Sequence, residues 1–123
     1  MCGICGIHGI AEENPVGTSL QKMVRALSHR GPDASGTYID DHVALGHTRL
    51  SIIDLSGSAN QPMTDPSGRF TLIFNGEIYN YRSLRKSLQE YPFQSNSDSE
   101  VLLAGLVKWG KQFLNECNGM FAF

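Results

Sequence analysis

Ser35-Gly36-Thr37-Tyr38-Ile39-Asp40, then Asp41-His42, then Val43-Ala44-Leu45-Gly46-His47-Thr48-Arg49-Leu50-Ser51-Ile52-Ile53: two β-favouring runs flank a short polar link. The pattern predicts strands over Ser35 to Asp40 and Val43 to Ile53, joined by a tight Asp40-Asp41 turn. A link this short makes the pair antiparallel, since a parallel pair needs a crossover of a dozen residues or more. Period 2 sets Val43, Leu45, His47 and Arg49 on one face.

Working outward, Gly3 to Ile10 is short and apolar, with Pro15 and Gly17 soon after. It reads as a strand starting almost at the N-terminus. Thr18-Ser19-Leu20-Gln21 has the form of a capping box with Thr18 as N-cap. Leu20, Met23, Val24 and Leu27 give the following helix one apolar face, and Gly31-Pro32 stops it. Downstream, Ser56 to Gly68 is rich in Gly, Pro, Asn and Asp and reads as a loop. Phe70 to Phe74 reads as a strand. Asn80 can cap a helix carrying Leu84 and Leu88. Ser97 with Glu100 is a second capping box, opening a helix through Leu102, Leu103, Leu106 and Val107 to Gly110. Phe113 and Leu114 suggest a further helical turn, and Gly119 to Phe123 a last strand. Strands and helices come in blocks, which favours an α+β fold with largely antiparallel sheet.

The chain has 123 residues, which suits one domain. Hydrophobic residues make up 41% and charged residues 18%, enough apolar material for a core. Ten Lys and Arg against twelve Asp and Glu give a net charge of -2, so a basic footprint for nucleic acid or an anionic membrane is absent. No apolar run approaches the roughly 20 residues of a membrane span. The first residues lack the basic stretch of a secretory signal. Three cysteines cannot all pair within one chain, and reduced thiols in the cytoplasm are the expectation. The apolar end Gly119-Met120-Phe121-Ala122-Phe123 looks like the start of a buried strand, which suggests a piece of a longer chain.

Several residues could carry chemistry. If Met1 is trimmed, Cys2 holds a thiol and a free α-amine on one residue. The amine has a reference pKa of roughly 7.7–8.0 and can serve as a built-in base. A bland terminal cysteine is the alternative. So is a redox or zinc-binding use of Cys2-Gly3-Ile4-Cys5, although no second C-x-x-C completes a metal site. Asn75-Gly76 between apolar runs is foremost a hairpin turn signal. It could also offer the Asn75 side-chain amide and the Gly76 N–H to a developing oxyanion. Arg49 reads as an exposed strand-end charge or a clamp for a carboxylate. Asp98, in the first turn after Ser97, suits the helix dipole or holds an ammonium. His29-Arg30-Gly31-Pro32-Asp33 reads as a helix C-cap with dense polar chemistry.

Together the motifs resemble the glutaminase domain of class II glutamine amidotransferases, specifically the glutamine-hydrolysing asparagine synthetase group. The matching elements are Met1 to Ile4, His29 to Asp33, Arg49 to Asp54, Gln61-Pro62, Asn75 to Asn80, Ser97 to Glu100 and Gly119 to Phe123. They occur in the family's order over essentially the whole chain. The resemblance implies an N-terminal-nucleophile fold, an αββα sandwich of two stacked antiparallel sheets flanked by helices, truncated here at its C-terminal end. It implies a chain that is the N-terminal part of the glutaminase domain throughout, residues 1–123, without the synthetase domain. It implies Cys2 as nucleophile and Asn75 and Gly76 as the oxyanion hole, which reverses the hairpin preference. By the same resemblance Arg49 binds the α-carboxylate of L-glutamine, and the backbone of Leu50, Ser51, Ile52 and Ile53 lines the pocket. Glu77 and Asp98 contact the glutamine, Asp98 at its α-ammonium. No metal or cofactor is implied for this part, while ATP and magnesium belong to the family's synthetase domain. The family's usual bulky residue at position 5 is replaced by Cys5. Alternatives are delivery of ammonia to another acceptor such as a sugar, and a glutamine-binding module without turnover. An uncovered edge on the last strand would also favour association, for instance as a homo-oligomer.

Overall fold

Three strands form the first sheet in the computed structural model, which describes residues 2–9 and 15–123. They are β1 (Gly3–His8), β2 (Ala34–Ile39) and β3 (Val43–Arg49), ordered β1-β3-β2 and antiparallel throughout. The register runs from Gly3↔Thr48 to His8↔Val43 on one side of β3 and from Ala34↔Arg49 to Ile39↔Ala44 on the other. The turn between β2 and β3 is built on Asp40, whose carboxylate accepts the N–H groups of His42 and Val43, both at 2.8 Å. An Asp side chain satisfying its own downstream backbone is a common way to fix so short a turn.

Strand ends differ from the sequence expectation, most of all at β3 and β1. β3 stops at Arg49 instead of continuing to Ile53. The Ser51 N–H is taken by the Asp33 carboxylate at 2.7 Å, which draws this segment away from strand pairing. β1 ends at His8, and Gly9 turns the chain with φ of 74°. The expected continuation to Ile10 lies outside the described residues.

The helix α1 (Val16–Ala26) starts earlier than the Thr18 signal predicts. The carbonyl of Pro15 accepts the N–H groups of Thr18 and Ser19, so Thr18 is inside the first turn and the Thr18-Gln21 box is not formed. Proline, with its φ already near the helical value, is at home at such a start. The apolar face is as expected. Leu20 is fully buried and Met23, Val24 and Leu27 are half-buried. α1 packs on β3 and β1. Gly46 makes this close approach possible, because Val24, Leu20 and Cys5 fill the space where its side chain would go.

The stretch expected as a loop contains a 3-10 turn (Gly57–Ala59) and the short strand β4 (Met63–Thr64), paired to β5 (Thr71–Leu72). The strand expected over Phe70 to Phe74 is therefore only its middle. The Asp65 carboxylate closes this hairpin by accepting from Ser67 and Phe70 N–H groups. Beyond it, β6 (Asn75–Ile78) pairs antiparallel with β7 (Gly119–Ala122), from Asn75↔Ala122 to Ile78↔Gly119. Asn75-Gly76 is thus a strand start and not the tip of a hairpin. The last strand finds a neighbour within this chain on one edge.

Three further segments complete this half: α3 (Asp98–Trp109) packs against β6, and α2 (Tyr81–Lys86) and a 3-10 segment (Gly110–Glu116) pack on α3. Asn80 sits at the N-cap of α2 but spends its amide on Glu116 O and Asn118 N–H. In α3 half of the expected capping box is present. Ser97 Oγ accepts the Glu100 N–H at 3.2 Å, while the Glu100 carboxylate turns to the N–H groups of Gln94 and Ser95. Gly110, with φ of 63°, ends the helix. Leu72, Phe74, Ile78, Leu88, Val101, Leu102, Ala104 and Phe113 are buried together as the main core. No helix among the described residues is long and apolar enough to cross a membrane.

Candidate active site

Because Gly3 pairs with Thr48, Cys2 arrives beside the end of β3, level with Arg49 and Leu50. The Leu50 N–H donates to Cys2 Sγ at 3.5 Å, and the thiol lies 3.8 Å from Leu50 O. Arg30 Nε donates to the Cys2 carbonyl at 3.0 Å. The His29 to Asp33 segment is therefore more than a helix stop. Arg30 holds the backbone of Cys2, and Asp33 holds Ser51.

A pocket of about 420 Å³ opens at this point. Its wall contains Cys2, Arg49, Leu50, Ile52 and Ile53 from the first sheet and the segment after it. Asn75, Gly76, Glu77 and Asp98 come from β6 and the start of α3. Ser51 does not line it: its N–H is spent on Asp33, and its neighbours on either side face the pocket instead. Asp54, Gln61, Phe74, Ser97, Ser99 and the β7 residues Met120 to Ala122 also contribute, none of which was singled out as a site residue from sequence. All but Phe74 stood within quoted motifs, which was the one signal available for them.

Arg49 is only 7% exposed, which rules out the exposed strand-end charge. Its guanidinium donates to Ser56 O and Asn60 Oδ1, each at 2.7 Å, and to Asp54 O. A guanidinium has five N–H donors. Among the described residues three such bonds fix the loop after β3 and leave two donors over.

Asp98 is buried, and its carboxylate accepts from Ile78 N–H and Ser99 N–H, both at 3.0 Å. Burial nevertheless raises its pKa above the ordinary value, with the charge on Glu77 acting in the same direction. A cation entering the pocket would favour the ionised form. The bond from Ile78 has a second consequence. Alternate residues of a strand direct their N–H groups to the same side. Ile78 points to Asp98 and away from β7, so Gly76 presents its N–H on that same free edge. Gly76 also has no space for a side chain, because Met120 O and the backbone of Phe121 lie against it. The neighbouring Asn75 has a buried Oδ1 with no hydrogen-bond partner among the described residues. Such a group costs roughly 1–3 kcal/mol when left unpaired.

The other two thiols sit in different surroundings. Cys5 Sγ lies on Gly46 O at 3.7 Å and Cys117 Sγ on Phe113 O at 3.5 Å. Burial raises the pKa of both.

His47, fully buried behind the pocket, has its pKa pushed down to about 4 by burial, with Arg49 adding to the effect. Between the ordinary value near 6.5 and about 4, the unfolded chain takes up a proton that the folded chain refuses. The contribution of a neutral His47 is thus complete above pH ~6.5 and is lost as pH falls toward ~4, by roughly 3 kcal/mol at most. Asp98 works in the opposite sense, since its raised pKa makes acid relieve its burial. In an NMR titration the His47 ring resonances should move with a midpoint near 4, identified by their absence in His47→Gln. A midpoint near 6.5 would contradict this burial.

Comparison with known proteins gives the wider context. A family model described as a glutamine amidotransferase domain matches residues 1–123. The chain is 40% identical over 128 residues to a glutamine-hydrolysing asparagine synthetase of Bacillus subtilis, covering all of this chain and 20% of that protein. It is 41% identical over 125 residues to asparagine synthetase B (glutamine-hydrolysing) of Escherichia coli, covering 98% and 22%. To a Gibberella zeae protein named amidase chry2 it is 44% identical over 107 residues, covering 85% and 16%. The chain spans about a fifth of the length of these curated relatives. A match that runs over every residue establishes membership, and this chain belongs to the glutamine amidotransferase domain family.

Proposed function

We propose that this chain hydrolyses L-glutamine to glutamate and ammonia with Cys2 as nucleophile, and that the ammonia serves asparagine synthesis, as the names of several relatives state for those proteins. The observation that carries the reading is the convergence in one pocket of the Cys2 thiol with Asn75 and the free N–H edge at Gly76.

Cys2 Sγ attacks the side-chain amide carbon of glutamine, and the carbonyl oxygen becomes an oxyanion. Asn75 Nδ2 and the Gly76 N–H donate to it. The place of Asn75 and Gly76 in the same pocket wall as Cys2 supports this. With Met1 removed, the α-amine of Cys2 takes the thiol proton and passes it, directly or through water, to the amide nitrogen; the C–N bond breaks, ammonia leaves and a thioester remains. Met1 itself lies outside the described residues. Water then attacks the thioester carbon, the C–S bond breaks, and glutamate leaves. Arg49 directs its two remaining donors to the substrate carboxylate, and Asp98, with Glu77 beside it, takes the ammonium.

The proposed fold is the N-terminal-nucleophile αββα sandwich. α1 on the first sheet and α3 against β6, with the pocket between, support that layering. On this reading ATP and magnesium belong with the synthetase part of such proteins, and none of the residues named above is assigned to them.

The test is incubation of the intact protein with L-glutamine. Equal release of glutamate and ammonia is expected. Saturable glutamine binding with no glutamate release would contradict the reading and favour a binding module.

A further inference from the structure

Phe74 sits between β5 and β6, just before Asn75, where neither short strand continues to hold it. Both of its backbone polar groups are instead taken by buried side chains from distant parts of the chain. Gln61 Oε1 accepts the Phe74 N–H at 2.5 Å. His47 Nε2 lies 3.2 Å from Phe74 O, so it carries the proton and donates. His47 is 1% and Gln61 7% exposed. The carbonyl held by His47 belongs to the peptide unit whose nitrogen is that of Asn75. Its orientation therefore sets where the Asn75 side chain starts.

The other ends of this arrangement are anchored in the first sheet. His47 is on β3, a short way before Arg49 and opposite Ile4 of β1. Gln61 rests with its own carbonyl against Gly36 of β2, so closely that no side chain would fit at position 36. The sheet that presents Cys2 is thereby tied to the residue that leads into Asn75 and Gly76.

We propose that His47 and Gln61 are positioning residues for catalysis, clamping the backbone of Phe74 from both sides so that the Asn75 amide and the Gly76 N–H are held in register with the Cys2 thiol. This rests on the assignment of Asn75 and Gly76 as oxyanion donors. Two polar side chains are buried where apolar ones would fill the space at no desolvation cost, and both spend their polarity on the backbone of the one residue that precedes the donors. Misplacement of a reacting group by about 1 Å can cost on the order of 100-fold in rate.

The test is a kinetic cycle in the intact protein with L-glutamine as substrate. His47→Leu removes the donor, and His47→Gln keeps an N–H of similar reach. Gln61→Met removes the acceptor at constant length and serves if His47→Leu does not fold. The first and third should lower kcat about tenfold with KM within about twofold, and His47→Gln should recover most of the loss. In an Asn75→Ala background the same substitutions should cost no more than about twofold, since they act through a group already removed. A full and equal loss in both backgrounds would overturn the clamp and leave a merely structural role. Wild-type kcat in His47→Leu and Gln61→Met, beside a large loss in Asn75→Ala, would overturn the clamp while sparing the oxyanion assignment. Wild-type kcat in Asn75→Ala itself would overturn both.

Discussion

Cys2→Ala is expected to abolish glutamine hydrolysis. The substitution removes the sulfur while leaving the α-amine and the pocket wall in place, and Cys2 holds the one thiol among the described residues that line the pocket. Neither Cys5 nor Cys117 lines the pocket, and burial raises both thiols above their ordinary pKa. In a longer protein that joins this domain to an ammonia-using part, as proposed above, synthesis fed with free ammonia should survive in the same variant, because it does not pass through Cys2. Cys2→Ser should fail similarly, as a hydroxyl is a far weaker nucleophile at neutral pH. The check is glutamate release from L-glutamine set against product formation from ammonium salt. Glutamate release by Cys2→Ala at the wild-type rate would exclude the mechanism.

Asn75→Ala should lower kcat for glutamine by about 10²–10³, the usual cost of losing one oxyanion donor. KM should change little, since the donor acts on charge that develops only in the transition state. Stability should hardly fall, because the buried Asn75 Oδ1 has no partner among the described residues to lose. Large loss of kcat with an unchanged unfolding midpoint separates this role from a packing role. A variant with normal kcat would remove Asn75 from the oxyanion site.

How much of this was legible depends on the range of the signal. The β2–β3 hairpin was readable because its alternation and its turn are adjacent in sequence. The face of α1 was readable for the same reason. Thr18 misled because a capping pattern competes locally with Pro15, whose carbonyl is already positioned to start the helix. Asn75-Gly76 misled more deeply. Glycine after asparagine suits a hairpin turn, yet here Gly76 is needed because the backbone of β7 passes too close for any side chain. The partner strand that imposes this is distant in sequence, so no local reading could supply it. Arg49 likewise could not be told from a surface charge until the loop carbonyls of Asp54 and Ser56 folded over it. Ser51 was placed at the pocket with its neighbours and is turned away by Asp33, another contact between separate segments. His47 stood on the Arg49 face of its strand and Gln61 within a quoted motif, but neither was marked as a site residue, since their meaning lies in Phe74, which each meets only in the folded chain.

The most direct measurement is covalent labelling with a glutamine-like diazo-ketone, followed by peptide mapping of the intact protein. The reagent needs recognition by the glutamine pocket and a reactive, accessible thiolate. One label per chain is expected, on Cys2, with Cys5 and Cys117 unmodified and L-glutamine protecting. A label found mainly on Cys5, or none on Cys2 in a protein that still hydrolyses glutamine, would contradict Cys2 as the nucleophile.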